Sequence, residues 1–186
     1  MSSAGAEPGD GPPGRQRSVE GRSRRASRPL SSGSAFDAGL RIIVGRDHSV
    51  VELRRKLFLR GYDQAEIDSA QARLMEHGFL GDQTFAEHYV RRRSRSLGPL
   101  AISAELAARG VDRETAERAL ERLDPHKQLL AAHRLADRLA GNTRYASYRE
   151  LLHSVGAKLL RRGFPMNVAR AVCEGVWRGT GDTPDP

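Results

Sequence analysis

Arginine is the residue whose type and spacing could do chemistry in this chain. Arg91, Arg92, Arg93 and Arg95 form its densest basic run outside the termini. A guanidinium stays charged at any working pH and presents a planar fork of donors that fits carboxylate or phosphate oxygens. The run therefore suits an anionic partner, either an acidic protein surface or a nucleic-acid backbone. The plainer alternative is a solvated helix end whose charges complement the helix dipole. Arg161-Arg162 and Arg54-Arg55-Lys56 are shorter versions of the same feature. The formal net charge of +8 points the same way, and Lys supplies only three of the cations, at Lys56, Lys127 and Lys158. Arg15, Arg17, Arg22, Arg24, Arg25 and Arg28 could add weak attraction for nucleic acid near the N-terminus, but a disordered arm without a role is the plainer reading.

Other chemistries lack their residues. The six His show no tight pairing with each other or with the single Cys173, so no metal site is expected. Cys173 falls among Val168, Val172 and Val176 and reads as a core filler rather than a nucleophile. No Gly-rich phosphate loop or nucleophile elbow is present. An enzyme is not expected, nor any cofactor. No stretch reaches the roughly 20 apolar residues of a membrane span, and no apolar segment follows the N-terminal Arg residues as in a secretory signal. Without a disulfide framework, the reducing cytoplasm is the expected compartment.

The elements that must position these residues are helical throughout. β-branched residues do not cluster, and strict alternation is rare. A phrase occurs three times at a period of about 50 residues, the mark of a repeat array. It reads Leu53, Lys56-Leu57, Arg60-Gly61-Tyr62, then Ile102, Glu105-Leu106, Arg109-Gly110-Val111, then Val155, Lys158-Leu159, Arg162-Gly163-Phe164. Each apolar pair is spaced i,i+4 and lies on one helix face. Each Gly then takes the left-handed position that ends the helix, and the Arg before it sits where the dipole favours a cation. Asp63 and Asp112 follow as N-caps, with Glu66 completing a capping box, and Pro165 suits the third first turn. Ile67, Ala116 and Ala169, then Leu74, Leu123 and Val176, continue each second face.

A further helix fits in every unit. Gly78 ends one helix and Asp82 caps the next, which carries Phe85 and Tyr89. Asp124-Pro125 opens another, with Leu129, Leu130 and Leu135. Phe36, Leu40, Ile43 and Val44 supply the first. The expected fold is all-α, with three tandem three-helix repeats over 36–80, 81–123 and 124–177. A Gly/Pro/Ser/Arg-rich arm over 1–35 and a tail over 178–186 are expected to be disordered. A single unit is too small to bury a good core, so neighbours are expected to stack.

The stretch Gly78-Phe79-Leu80-Gly81-Asp82-Gln83-Thr84-Phe85-Ala86-Glu87-His88-Tyr89-Val90-Arg91 resembles the signature of the RecX family. Gly98-Pro99, Glu105-Leu106 and Arg109-Gly110-Val111 follow in that family's order. Glu52 to Leu57, Arg60-Gly61-Tyr62, and Leu159 to Phe164 are similar to its other repeat endings, so the likeness runs from about Phe36 to Val176. Three positions depart from it: Gly81 replaces an acidic residue, Leu100-Ala101 stands where basic residues are common, and Pro165 replaces a polar cap. The resemblance implies a curved, elongated array of three-helix repeats without catalytic residues. It implies a monomer that binds RecA and RecA–DNA filaments and lowers their ATPase, strand-exchange and LexA-cleavage activities, so restraining recombination and the SOS response. The contacts would fall on Arg91, Arg92, Arg93, Arg95, Arg161 and Arg162. A direct DNA-binding helical protein is the alternative, although no recognition helix rich in Asn, Gln and Arg is evident.

Overall fold

The three Arg-Gly phrases each end a helix in the same hydrogen-bonded turn. The N–H of the residue after Gly reaches back to the repeat leucine: Tyr62 to Leu57, Val111 to Leu106, and Phe164 to Leu159. The Gly N–H bonds one residue further on, to Phe58, Ala107 and Leu160. This is the Schellman arrangement, and it needs a left-handed residue. Gly61, Gly110 and Gly163 accordingly have φ of 86°, 81° and 80°. The residue after each Gly folds back into the core, with Tyr62, Val111 and Phe164 all buried. Gly78 ends a fourth helix in the same way.

A computed structural model describes residues 33–179. The described residues form nine helices and no strand. They are α1 (Ala35–Gly45), α2 (Val50–Phe58), α3 (Gln64–Glu76), α4 (Asp82–Arg93), α5 (Pro99–Ala108), α6 (Arg113–Glu121), α7 (Pro125–Ala140), α8 (148–161) and α9 (Met166–Gly179). Helix α8 is continuous, but its middle turn, Leu152–Gly156, is a π-helix. Most of the expected arm and tail lies outside the described residues; of the described part, Ser34 caps α1, Ala35 belongs to it, and Arg178 and Gly179 still belong to α9.

The caps follow the sequence at most starts. Asp63 and Glu66 form the capping box of α3, Asp112 accepts the Thr115 N–H, and Asp124 accepts the His126 N–H. Asp82 does not cap. Gly81 holds the N-cap position of α4, and the Asp82 carboxylate instead accepts the Val50 N–H at 2.9 Å, from the start of α2. Burial pushes the Asp82 carboxyl above its usual range. Pro165 stands just before α9, and its carbonyl accepts the Ala169 N–H.

Each unit buries a core of its own, which corrects the expectation that one unit is too small to do so, although neighbouring units do pack on one another. One cluster holds Leu53, Leu57, Ile67 and Leu74, a second holds Phe85, Tyr89, Ile102 and Leu106, and a third holds Leu135, Val155, Phe164 and Trp177. Cys173 lies fully buried in the third, where burial pushes its thiol up to about 11. The stripe expected of α1 is also corrected. Ala35, Ala38 and Gly39 are its buried residues, Phe36, Leu40 and Ile43 only flank the core, and Val44 points out. A Cβ on Gly39 would come within 2.8 Å of Leu74, so α1 approaches α3 too closely for large side chains between them. In α7, likewise, Ala131, Ala132 and Ala136 face the core beside Leu135, while Leu130 is 41% exposed.

The units meet at thin joints of one design, in which the start of a second helix sits on the Arg-Gly turn of the next unit. At the first joint the Ser49 hydroxyl donates to the Arg109 carbonyl at 2.6 Å. At the second, the Gly98 N–H donates to the Arg162 carbonyl at 2.8 Å and the Leu100 N–H to the Gly163 carbonyl at 3.2 Å. Backbones this close leave no room for side chains. A Cβ on Gly110 would lie 2.6 Å from Val51, and one on Gly163 would lie 2.5 Å from the Ala101 methyl.

Candidate functional site

Helix α4 buries Phe85, Ala86, Tyr89 and Val90, a face that repeats every four residues. Its last turn carries Arg91, Arg92 and Arg93, with Arg95 just past its end, and that face divides the run. Arg93 lies four residues after Tyr89 and therefore continues the inward stripe. Its guanidinium grips Glu105 of α5 by two hydrogen bonds, Nε to Oε2 at 2.8 Å and Nη2 to Oε1 at 2.5 Å. The Tyr89 hydroxyl donates to the same carboxylate at 2.6 Å. The Arg93 fork, with the help of that hydroxyl, holds the Glu105 carboxyl below its usual range. Arg92 lies with its guanidinium carbon 5.3 Å from the centre of the Tyr89 ring, a cation–π contact.

This network continues into the first joint. Arg109 lies over the same Tyr89 ring at 4.9 Å and pairs with Glu52 of α2 at 2.5 Å. Arg109, expected to serve its own helix end, thus ties the first unit to the second. Beside it, His88 of α4 meets Asp47 at 3.0 Å.

Arg91 and Arg95 remain free of side-chain partners among the described residues. Arg91 lies in the last turn of α4 and Arg95 in the turn that follows it, and both are exposed and look across at α7. There Lys127, Leu130, Ala131 and Arg134, spaced to share one face, form the opposite wall. With Ser94 these six residues line a hollow of about 330 Å³, and no carboxylate is among them. Gln128, beneath, donates to the Ser94 carbonyl at 3.4 Å and joins the two walls. A neighbouring hollow of about 300 Å³ shares Arg91, Ser94 and Lys127 and extends over Val90, Ala119 and Leu123. At that end lie Glu87, paired with Arg122 at 2.7 Å, and the α7 cap Asp124. The result is one groove with an apolar floor, basic walls and acids, Glu87 and Asp124, only at one end.

The structure therefore brings Arg91 and Arg95 together with Lys127 and Arg134. It does not bring Arg161 and Arg162 there: both side chains are exposed at the end of α8, and the Arg162 carbonyl serves the second joint. Lys127 and Arg134 escaped the sequence reading, although their spacing of seven on α7 was a usable signal. Among the described residues no group of His, Cys, Asp and Glu could hold a metal ion, and no helix is long and apolar enough to cross a membrane.

Comparison with known proteins adds the relatives. A family model described as "RecX, first three-helix domain" matches residues 35–74, and one described as "RecX, second three-helix domain" matches residues 82–120. The regulatory protein RecX of Chromohalobacter salexigens is 36% identical over 145 residues, covering 77% of this chain and 93% of its own length. The regulatory protein RecX of a Thermus thermophilus strain is 34% identical over 135 residues, covering 73% and 87%. The crystal structure of RecX from Lactobacillus salivarius superposes with a TM-score of 0.69 at 24% identity, over 76% of this chain and 93% of that one, which is a likeness of fold.

Proposed function

This chain belongs to the RecX family of regulatory proteins, and on that premise we propose that it binds RecA and RecA–DNA filaments and restrains their recombinase, ATPase and coprotease activities. It would thereby hold back recombination and the SOS response, acting in the cytoplasm as a monomer and without catalysis or cofactor. The observation that carries the reading is the sequence likeness to the named regulatory relatives along most of their length. Units bounded at 36–80, 81–123 and 124–177 are the proposed modules.

The proposed contact residues are the exposed cations Arg91, Arg92, Arg95, Arg161 and Arg162. Arg93 is reassigned to holding α4 on α5, since its guanidinium is already committed to Glu105. Reversing Arg93 together with Arg91 and Arg92 would break a unit as well as a surface, so the informative variant reverses Arg91 and Arg95. The test is RecA ATP hydrolysis on single-stranded DNA with increasing amounts of this protein. The wild-type chain should suppress it. The Arg91→Glu, Arg95→Glu variant should need roughly tenfold more protein at low salt, with the gap narrowing as salt rises. A matched Arg15→Glu, Arg17→Glu variant, altered outside the described residues, should inhibit like wild type. Absence of inhibition by the wild-type chain, with tight binding to DNA alone, would instead support the direct DNA-binding reading that the charge of +8 keeps in play.

A further inference from the structure

We propose that the groove between α4 and α7 is a seat for an acidic protein segment that also carries an apolar side chain, and that such a segment is what the regulated partner presents there. The inference rests on the regulator reading for the identity of the partner, but on the groove alone for its chemistry.

Charge complementarity argues first. Arg91 and Arg95 stand on one wall and Lys127 and Arg134 on the other, all exposed, and no carboxylate lines that half. Two cations on each side can receive carboxylates from both flanks of an inserted chain. The floor argues second. Val90, Leu123 and Ala131 are wholly or partly buried beneath it, and Leu130 offers an exposed apolar edge. A phosphodiester backbone has nothing to place on such a floor. No aromatic side chain lines either hollow, so unstacked bases have no platform. An apolar side chain flanked by acids satisfies both features. Glu87 and Asp124 at the far end give the groove a direction, with the acids of the segment lying toward Arg95 and Arg134.

The test uses the full chain and three labelled probes of equal charge. They are a peptide of Glu pairs spaced by Leu, a peptide with Gly in place of Leu, and an oligothymidylate. Fluorescence anisotropy at low salt should rank the Leu-bearing peptide first. Arg95→Glu and Arg134→Glu should each weaken it roughly tenfold, and Arg55→Glu on α2 should leave it unchanged. Leu130→Ser should weaken the Leu-bearing peptide but not the Gly version, and melting curves should show all four variants folded. Equal binding by the two peptides, tighter binding of the oligothymidylate, or indifference to Arg95→Glu and Arg134→Glu would each overturn the proposal. Its fate separates from that of the regulator reading. Peptide binding without RecA inhibition would sink only the latter, and RecA inhibition that survives Arg134→Glu would sink only the groove.

Discussion

Gly110 illustrates how much one residue carries. Its φ of 81° already disfavours a branched side chain, which costs about 1–2 kcal/mol. Its contact with Val51 adds a second penalty that no helix-ending argument contains. Gly110→Val should therefore lower stability by more than the backbone cost alone, and chemical denaturation should show Val51→Ala recovering part of the loss. No recovery would mean that the turn suffers alone. His48 makes a different point. It is buried at 4% exposure, its Nδ1 lies 2.8 Å from the Arg46 carbonyl, and its Nε2 accepts from Arg46 Nε at 3.2 Å. That pairing requires a neutral ring, and burial lowers the imidazole below its ordinary value of 6.5. A group whose folded value is depressed stabilises the fold above its unfolded value and loses that contribution as pH falls through the folded one. The melting temperature should therefore drop on acidification below about pH 6.5, and His48→Gln should flatten that slope. An unchanged slope would remove His48 from the account.

At the level of elements, the second joint depends on Gly98 having no side chain. A Cβ there would fall 2.2 Å from the Gly163 carbonyl oxygen. Gly98→Ala should loosen the third unit from the second while sparing the core of each. Limited proteolysis should then cut faster between Leu97 and Leu100, with helical circular dichroism retained; unchanged proteolysis would show that the joint absorbs a methyl. Much of this architecture was legible in the sequence because it is local. Paired leucines four apart, Gly after Arg, and Asp before the next helix announce helices and their ends. The joints were not legible. Ser49 finds Arg109, and Glu52 finds the same residue, across about a whole repeat, and no periodicity encodes such pairing. The inner face of α1 was missed for another reason: Ala35, Ala38 and Gly39 signal close approach by being small, whereas a hydrophobic pattern follows the larger Phe36 and Ile43 beside them. At the candidate site, Arg91 and Arg95 were readable as a run. Arg93 looked alike, although its place four residues after Tyr89 already turned it inward.

Across the whole molecule, three separate cores with polar joints predict that unfolding is not one event. Repeat arrays remain cooperative only insofar as neighbouring units share interface energy. Here the shared contacts are a few hydrogen bonds, the Arg109–Glu52 and His88–Asp47 pairs at the first joint, and glycine contacts. Calorimetry should therefore give a van't Hoff enthalpy well below the calorimetric one, and Gly98→Ala should widen the disparity; equal enthalpies would indicate far stronger coupling than these joints suggest. The same construction has a mechanical meaning. A rod with one continuous interior resists bending everywhere along its length, whereas three separate cores joined by a few contacts would concentrate compliance at two points, beside Gly110 and beside Gly163. Three stiff segments on two soft hinges can keep hold of a track whose spacing changes beneath them, because the strain goes into the hinges and leaves the packed interiors intact.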